Sequence, residues 1–308
     1  MTEKNQSANV TVTGHELSEV CAHIAERSGI LFDNSQERHF PVRIHEYMRA
    51  RKMPHVSDLL RVVRASSLEY DELLEHLLAQ ETHFLRHPSV FTVFEKKVLR
   101  EMHQKKFWEN PRSLRIWSAG CATGEEPYSI AMGICDSLEF AGAWNIHILA
   151  TDISRKSLQQ AERGLYSAQS LVALSPRQKE TYFTRLGDQY LVRPQVRNMV
   201  SFAQMNLTQS VYMGRFDIIF CVNVLNYFSE TRRAALVHRF YEYLESGGYL
   251  FVGHEEPIPR ASGKFEASTH GDFILYQKPI APKPSKGVHG MARHNGKAER
   301  KAEREKNA

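Results

Sequence analysis

Residues 115–132 read RIWSAGCATGEEPYSIAM and combine three successive patterns. The apolar pair Ile116-Trp117 predicts a strand, the small residues after it predict a tight loop, and apolar positions at helical spacing from Ile130 predict a helix. Pro127 suits the first turn of that helix, because its missing N–H would have no intrahelical partner there. Because the side chains of this loop are small, a ligand can approach its backbone closely. The stretch therefore predicts a strand–loop–helix unit that binds a small ligand.

The loop lacks the sequence features of the common phosphate-binding sites. It contains neither GxxxxGK[ST] nor GxGxxG at dinucleotide spacing. Glu125 and Glu126 at its exit suit a helix N-terminus and would attract a cation, an amine or hydroxyl groups. Asp152 follows the second apolar strand, residues 146–150, where an acid commonly accepts hydrogen bonds from a ribose diol. An adenosine ligand without a pyrophosphate, such as S-adenosylmethionine (SAM), fits both sites; the alternative is an ordinary βαβ unit whose Asp152 caps the next helix.

Composition narrows the class of protein. A chain of 308 residues with 42% hydrophobic content can bury a sizeable core. The sequence has neither a bilayer-length apolar run nor an apolar signal core, and its four cysteines show no CxxC pairing, so we expect a soluble cytoplasmic protein without a metal site. The net charge of +5 comes largely from residues 283–306, which predict a basic, disordered tail over 281–308. The rest is nearly neutral, which argues against a nucleic-acid enzyme.

The amino-terminal quarter predicts a small all-helical domain over residues 14–88. Apolar residues recur at helical spacing in residues 15–27, 38–51, 57–63 and 67–80, with Ser57 as the N-cap of the third segment. The predicted apolar stripe of the fourth segment consists of Leu68, Leu73, Leu74, Leu77 and Leu78.

Residues 89–280 predict an α/β domain with a doubly wound, mostly parallel sheet. A helix over 90–106 precedes the first strand, and Ser154 opens a helix over 154–162. Further strands are predicted at 200–203 and at 216–221, whose near-continuous apolar run is typical of a buried parallel strand. A helix over 229–244 begins at a Ser229 cap and is terminated by Gly247-Gly248, and strands 249–253 and 273–277 form a closing pair. Residues 184–199 predict a β-hairpin insertion made of strands 189–192 and 195–199.

Four segments in this order resemble the CheR-type chemotaxis receptor methyltransferases: WSAGCATGEEPYSIAM, ATDIS, FDIIFCVNVLNYF and GGYLFVGHEE. The resemblance covers about residues 56–278. It implies a Rossmann-like, SAM-dependent methyltransferase domain with a helical N-terminal domain and a short β-subdomain. It also implies protein-glutamate O-methylation, with the cytoplasmic domain of a methyl-accepting chemotaxis receptor or a related signalling protein as partner.

The resemblance also assigns roles to individual residues. Asp152 would hold the ribose and Glu126, less surely Glu125, the amino end of the cofactor, while Arg86 and Tyr227 would position the cofactor carboxylate and the acceptor. The alternative for Tyr227 is a half-buried aromatic residue with a hydrogen-bonded hydroxyl. The implied cofactor-binding residues are Gln80, Thr82, Arg86, Glu126, Asp152, Asn206, Leu207, Val222 and Asn223, and the implied catalytic residues are Arg86 and Tyr227.

Several positions depart from the family pattern. Gln80 stands where an asparagine is usual, Leu85 where a second phenylalanine is usual, and His87 where an acid is usual. Val222-Asn223 replaces the usual Arg-Asn pair, with the loss of one charge. These departures leave three alternatives open: a chemoreceptor methyltransferase, a SAM-binding scaffold or sensor, and a methyltransferase for another carboxylate or protein side chain.

Two surfaces have open interpretations. The helix over 38–51 carries Arg43, Arg49, Arg51 and, just beyond it, Lys52, which would face an acidic receptor helix or would simply be a solvated face. The β-hairpin would dock a tethering peptide of the receptor, as in part of the family, or would only connect two elements.

Overall fold

The computed structural model describes residues 13–31, 40–78, 82–209, 213–256, 258 and 264–280. Gln80 and the predicted tail over 281–308 lie outside these residues. Within the described ranges no helix is long and apolar enough to cross a bilayer.

The amino-terminal part is helical, as predicted, although individual boundaries differ. The third helix begins at Val56 after His55, so the prediction of Ser57 as its N-cap was wrong. Leu68 is 73% exposed and does not belong to the apolar stripe, which Tyr70, Leu73, Leu74 and Leu77 form instead. The four helices are α1 (Gly14–Ser28), α2 (Phe40–Ala50), α3 (Val56–Ala65) and α4 (Ser67–Leu77).

A seven-stranded sheet forms the centre of the rest of the chain, in the order β6-β2-β1-β7-β8-β10-β9. The first five strands of this order, β6, β2, β1, β7 and β8, run parallel to one another. Strand β10 is antiparallel to both of its neighbours, β8 and β9. The predicted closing pair is confirmed, since Tyr276 lies opposite Leu250. The strands are β1 (Ser113–Ala119), β2 (Asn145–Asp152), β6 (Val200–Gln204), β7 (Phe216–Cys221), β8 (Leu244–Val252), β9 (Glu266–His270) and β10 (Phe273–Gln277).

The central strands β7 and β8 are buried on both faces, which explains their near-continuous apolar runs. In β7 Ile218 and Phe220 face one core, while Ile219 and Cys221 face the other. The second core continues into the helical part, because the buried residues of α1 to α4 belong to the same cluster as Trp117 of β1. The helical part is therefore packed onto one face of the sheet.

The helices beside the sheet largely follow the prediction. The segment 90–106 is helical throughout but passes through a π-helical turn at Phe94–Val98. Ser229 caps α11 as predicted, whereas Gly247-Gly248 lies inside β8 and does not end that helix. These helices are α5 (Pro88–Val93), α6 (Leu99–Lys106), α7 (Glu125–Ser137), α8 (Arg155–Arg163) and α11 (Glu230–Tyr243).

The predicted insertion over 184–199 contributes to a separate three-stranded sheet, whose strand order is β3-β5-β4. The predicted strand 189–192 is present, but its hairpin partner precedes it, and the predicted strand over 195–199 is wrong because Pro194 begins a short helix there. The elements are β3 (Leu165–Ser167), α9 (Pro176–Tyr182), β4 (Phe183–Leu186), β5 (Gln189–Val192) and α10 (Pro194–Arg197).

Candidate active site

A cavity of about 280 Å³ lies at the carboxyl ends of β1, β2, β6 and β7. This edge is where open α/β sheets bind their ligands. The cavity brings together every predicted site residue that the structure describes: Thr82, Arg86, Glu126, Asp152, Asn206, Leu207, Val222, Asn223 and Tyr227.

The loop after β1 is fixed against the end of β2. The backbone N–H groups of Gly120 and Cys121 donate to the Thr151 carbonyl oxygen at 2.7 and 2.9 Å. Asp152 accepts from the Ala122 N–H at 2.9 Å through Oδ2 and from the Ser154 N–H at 2.8 Å through Oδ1. Burial raises the pKa of Asp152, and these N–H groups oppose the rise. The carboxylate is thus held in place by both loops while it lines the cavity.

The two acids that open α7 have different positions. Glu126 lines the cavity and accepts a hydrogen bond from the Ser118 hydroxyl at 2.7 Å. Burial raises its pKa to about 7, and the Ser118 hydrogen bond and the nearby Arg86 charge oppose that rise. Glu125 is buried beside the loop, where the Thr123 hydroxyl donates to it at 2.6 Å. Of this pair, Glu126 is the one at the cavity wall.

The loop after β7 is organised by Glu256, a residue that the sequence interpretation did not assign to the site. Glu256 is fully buried, and its Oε2 accepts from the N–H groups of Asn223 at 2.7 Å and Gly253 at 2.9 Å. Its Oε1 accepts from the Asn226 N–H at 3.2 Å. One carboxylate therefore fixes the segment that carries both Asn223 and Tyr227. The available signal was an acid within the HEE run directly after an apolar strand.

Backbone strain is concentrated around the cavity. Within the described ranges, six non-glycine residues have a positive φ, and four of them lie in or beside the cavity: Leu85, His87, Ala122 and Asn223. His87 and Asn223 also contact each other, with 2.5 Å between Nε2 and Oδ1. Such conformations persist only where surrounding contacts hold them, and they are enriched at ligand sites.

Arg86 and Tyr227 lie on the same cavity and influence each other electrostatically. Burial raises the pKa of the Tyr227 phenol, and the charges of Arg43 and Arg86 oppose that rise. The phenol is therefore protonated at neutral pH and can donate a hydrogen bond. Together the two residues supply a fixed cation and a neutral donor.

The predicted basic surface of α2 is only partly available. Arg43 donates to the Leu77 carbonyl at 2.8 Å and caps the end of α4. Arg51 forms ion pairs with Glu69 and Glu72 inside the helical part. Of the four predicted cations, Arg49 and Lys52 are the exposed ones.

The lining matches the functional groups of SAM. The ligand has an ammonium group and a ribose diol, for which Glu126 and Asp152 are suitable acceptors, and a carboxylate, for which Arg86 is a suitable partner. Its adenine needs an apolar surface, and Leu207 and Phe228 provide one. The residues present therefore fit this cofactor.

Comparison with known proteins agrees with the geometry. The family described as "CheR methyltransferase, SAM binding domain" matches residues 80–273, and "CheR methyltransferase, all-alpha domain" matches residues 15–78. The chain belongs to the CheR methyltransferase family. It is accordingly a methyltransferase that uses SAM.

Curated CheR relatives cover most of the chain. The chemotaxis protein methyltransferase of Vibrio parahaemolyticus is 32% identical over 275 residues, which are 87% of this chain and 98% of that protein. That of Salmonella typhimurium is 33% identical over 246 residues, or 77% of this chain and 82% of that protein. That of Borreliella burgdorferi is 30% identical over 256 residues, which are 81% of this chain and 90% of that protein.

Proposed function

We propose that this CheR-family protein methylates glutamate side chains in the cytoplasmic domain of a chemotaxis receptor, and that it works in the cytoplasm. The observation that carries the proposal is the convergence of Arg86, Glu126, Asp152 and Tyr227 on one cavity. The names of the curated relatives support the link to chemotaxis. The exposed cations Arg49 and Lys52 of the helical part favour an acidic protein substrate over a small carboxylate.

Each residue of the predicted site set has a proposed role in binding. Asp152 accepts hydrogen bonds from the ribose diol, and Glu126 pairs with the amino group. Arg86 and Tyr227 position the cofactor carboxylate and the acceptor carboxylate. The remaining contacts, to the adenosine and methionine portions, are assigned to Gln80, Thr82, Asn206, Leu207, Val222 and Asn223.

The reaction needs alignment more than acid–base catalysis. When bound, SAM supplies a methyl group on a positively charged sulfur. A glutamate acceptor with an ordinary pKa of about 4.3 is already ionised at neutral pH, so no residue of the protein has to remove a proton. Charge is neutralised as the ester forms, so strong stabilisation of the acceptor carboxylate would slow the step. Arg86 and the Tyr227 phenol therefore act by orientation, which can supply several kcal/mol of the barrier reduction.

Methyl transfer from labelled SAM to receptor cytoplasmic fragments tests the proposal. We expect base-labile label on glutamate, the signature of a carboxyl methyl ester. Stable label on the receptor would indicate another side chain. SAM binding without transfer to any receptor fragment would contradict the proposed substrate and favour a different acceptor or a sensor.

The ribose assignment predicts a loss of affinity when Asp152 is truncated. For Asp152→Ala we expect SAM binding to weaken by about 1–3 kcal/mol, which is roughly a 5- to 150-fold increase in Kd, because the diol and two backbone N–H groups lose their acceptor. Calorimetry measures the change. Asp136→Ala is a matched control, since Asp136 accepts hydrogen bonds from Tyr182 and Gln178 away from the cavity. An unchanged Kd in Asp152→Ala would remove the assignment.

The pKa of Glu126 predicts a pH dependence of SAM binding. Its carboxyl has a pKa of about 7 without ligand, and only the ionised form pairs with an ammonium group. Below pH 7 binding must therefore release a proton, and we expect the Kd to rise by about tenfold per pH unit. Above about pH 8 the amino group of the ligand loses its charge and binding weakens again.

Calorimetry at pH 6 in two buffers of different ionisation enthalpy measures the released proton directly. The matched variant is Glu126→Gln, which keeps the size of the side chain and removes its titration. We expect it to bind more weakly at pH 7.5 and without proton release at pH 6. Proton release that persists in Glu126→Gln would assign the titration to another group, such as Asp152.

A further inference from the structure

The end of α1 forms one wall of the SAM cavity. Ser28 and Ile30 line the cavity together with Asp152 and Asn206, although they belong to the helical part and lie more than 100 residues away in sequence. Gly29 ends the helix with φ +81°, and its N–H donates to the Ala25 carbonyl at 3.1 Å. This wall has the correct shape only while the end of α1 stays against the sheet.

Arg232 of α11 clamps this wall. Its Nη1 donates to the Ala25 carbonyl at 3.0 Å and to the Gly29 carbonyl at 2.6 Å, two groups at the end of α1. Asn206 adds a bond from Nδ2 to the Arg27 carbonyl at 3.3 Å. Bonds from one guanidinium to two carbonyls define both the position and the direction of the chain end.

The contact is also tight on its other side. A Cβ on Gly29 would lie 2.3 Å from Cγ2 of Thr208, so only glycine permits this approach. The Leu31 N–H donates to the Tyr227 carbonyl at 2.7 Å. The wall is therefore attached to the loops that follow β6 and β7.

A second clamp acts on the opposite loop. Glu75 of α4 accepts from the Ser154 hydroxyl at 3.1 Å and from the Lys156 N–H at 2.8 Å, both at the start of α8. Ser154 in turn donates its N–H to Oδ1 of Asp152 at 2.8 Å. Glu75 thus holds, from the helical part, the loop that orients Asp152.

We propose that Arg232 and Glu75 are positioning residues through which the helical part preorganises the SAM cavity. Neither side chain lines the cavity. Without a clamp, the wall that it holds samples displaced positions, and the apparent Kd rises in inverse proportion to the fraction of molecules that remain competent to bind. The inference rests on SAM binding by this family and not on the identity of the methyl acceptor.

The test measures binding of S-adenosylhomocysteine by calorimetry to the full chain and its variants. For Arg232→Ala and for Glu75→Ala we expect the Kd to rise about tenfold each, which corresponds to a competent fraction of about one tenth. Arg215→Ala is the matched control, because Arg215 donates from Nη1 to the carbonyls of Glu242 and Leu244 at 3.2 Å each, at the end of α11 and away from the cavity. It should lower the unfolding temperature and leave the Kd unchanged.

Conservative variants keep the test decisive if a truncation fails to fold. Glu75→Gln retains a carbonyl acceptor and should bind nearly as well as the wild type. Arg232→Lys keeps the charge and N–H donors but loses the planar guanidinium, and it should give an intermediate Kd. Because the clamps hold different loops, we expect their effects to combine in the double variant. The proposal would be overturned by one combination of results. In it, a folded Arg232 variant (Arg232→Ala or Arg232→Lys) and Glu75→Ala would both bind S-adenosylhomocysteine with a Kd within twofold of the wild-type value. An equal loss in Arg215→Ala would also overturn it, by showing a general effect of stability.

Discussion

Replacing Glu256 by alanine is expected to lower the free energy of unfolding by about 3–5 kcal/mol, because three backbone N–H groups in the interior would lose their acceptor. These groups belong to Asn223, Asn226 and Gly253. The side chain is completely buried, and the polypeptide around Gly253 is so close that a Cβ there would lie 2.5 Å from Oε2 of Glu256. Denaturant unfolding without ligand measures the loss.

The neighbouring acid provides the control for this prediction. Glu255 is exposed, and Glu255→Ala should change the free energy of unfolding by less than about 0.5 kcal/mol. Glu256→Gln keeps one carbonyl acceptor, so its loss in the free energy of unfolding should lie between those of Glu255→Ala and Glu256→Ala. Because Glu256 holds the segment that carries Asn223 and Tyr227, the alanine variant should also bind SAM more weakly at temperatures where it is still folded. A loss below about 1 kcal/mol in Glu256→Ala would show that water replaces the carboxylate at little cost.

The parts of the fold that were predictable from sequence have strong local patterns. The strand over 216–221 was identified at its full length because all six residues are buried between two cores. The Ser229 cap was predicted correctly because a hydroxyl that accepts an N–H near the helix start is a local interaction. The loop after β1 was likewise predicted correctly, because small residues followed by acids indicate a tight loop that leads into a helix.

The errors arose where distant parts of the chain decide local structure. Gly247-Gly248 was interpreted as a helix terminator, but a Cβ on Gly248 would meet the Asp217 carbonyl at 2.9 Å, so glycine is needed there for close approach inside the sheet. Residues 195–199 were predicted as a strand because short apolar and polar stretches alternate over 184–199, yet Pro194 starts a helical turn and β5 pairs with the preceding strand. Short alternating runs do not distinguish these cases.

The same limit applies to the candidate site. Asp152, Glu126 and Tyr227 stand at strand ends or helix starts, where the chain itself indicates a ligand. Ser28 and Ile30 lie at and just beyond the end of an amphipathic helix, carry no such signal, and reach the cavity only through the packing of α1 on the sheet. The contribution of the helical part to the cavity could therefore be seen only in three dimensions.

Truncation of Arg86 is expected to reduce kcat/KM for receptor methylation by about 10²–10³-fold, since truncating one partner of a charge pair that the bound ligand would shield from water costs about 2–5 kcal/mol. Arg86 is the cation of the predicted set that lines the cavity, and its charge acts on both Glu126 and Tyr227. Arg86→Lys retains the charge but loses the planar fork that orients a carboxylate, so it should recover only part of the rate.

The partition between binding and rate identifies which carboxylate Arg86 orients. If Arg86 holds the carboxylate of the cofactor, Arg86→Ala should weaken S-adenosylhomocysteine binding as much as it reduces kcat/KM. If it orients the acceptor, cofactor binding should stay near that of the wild type while transfer falls, and Tyr227→Phe, which removes only the hydroxyl, should show the same partition. Arg100→Ala, at an exposed position of α6, is the control and should retain full activity. Activity of Arg86→Ala above about one third of the wild type would remove Arg86 from the catalytic arrangement, because a charge that aligns reacting groups cannot be lost at so small a cost.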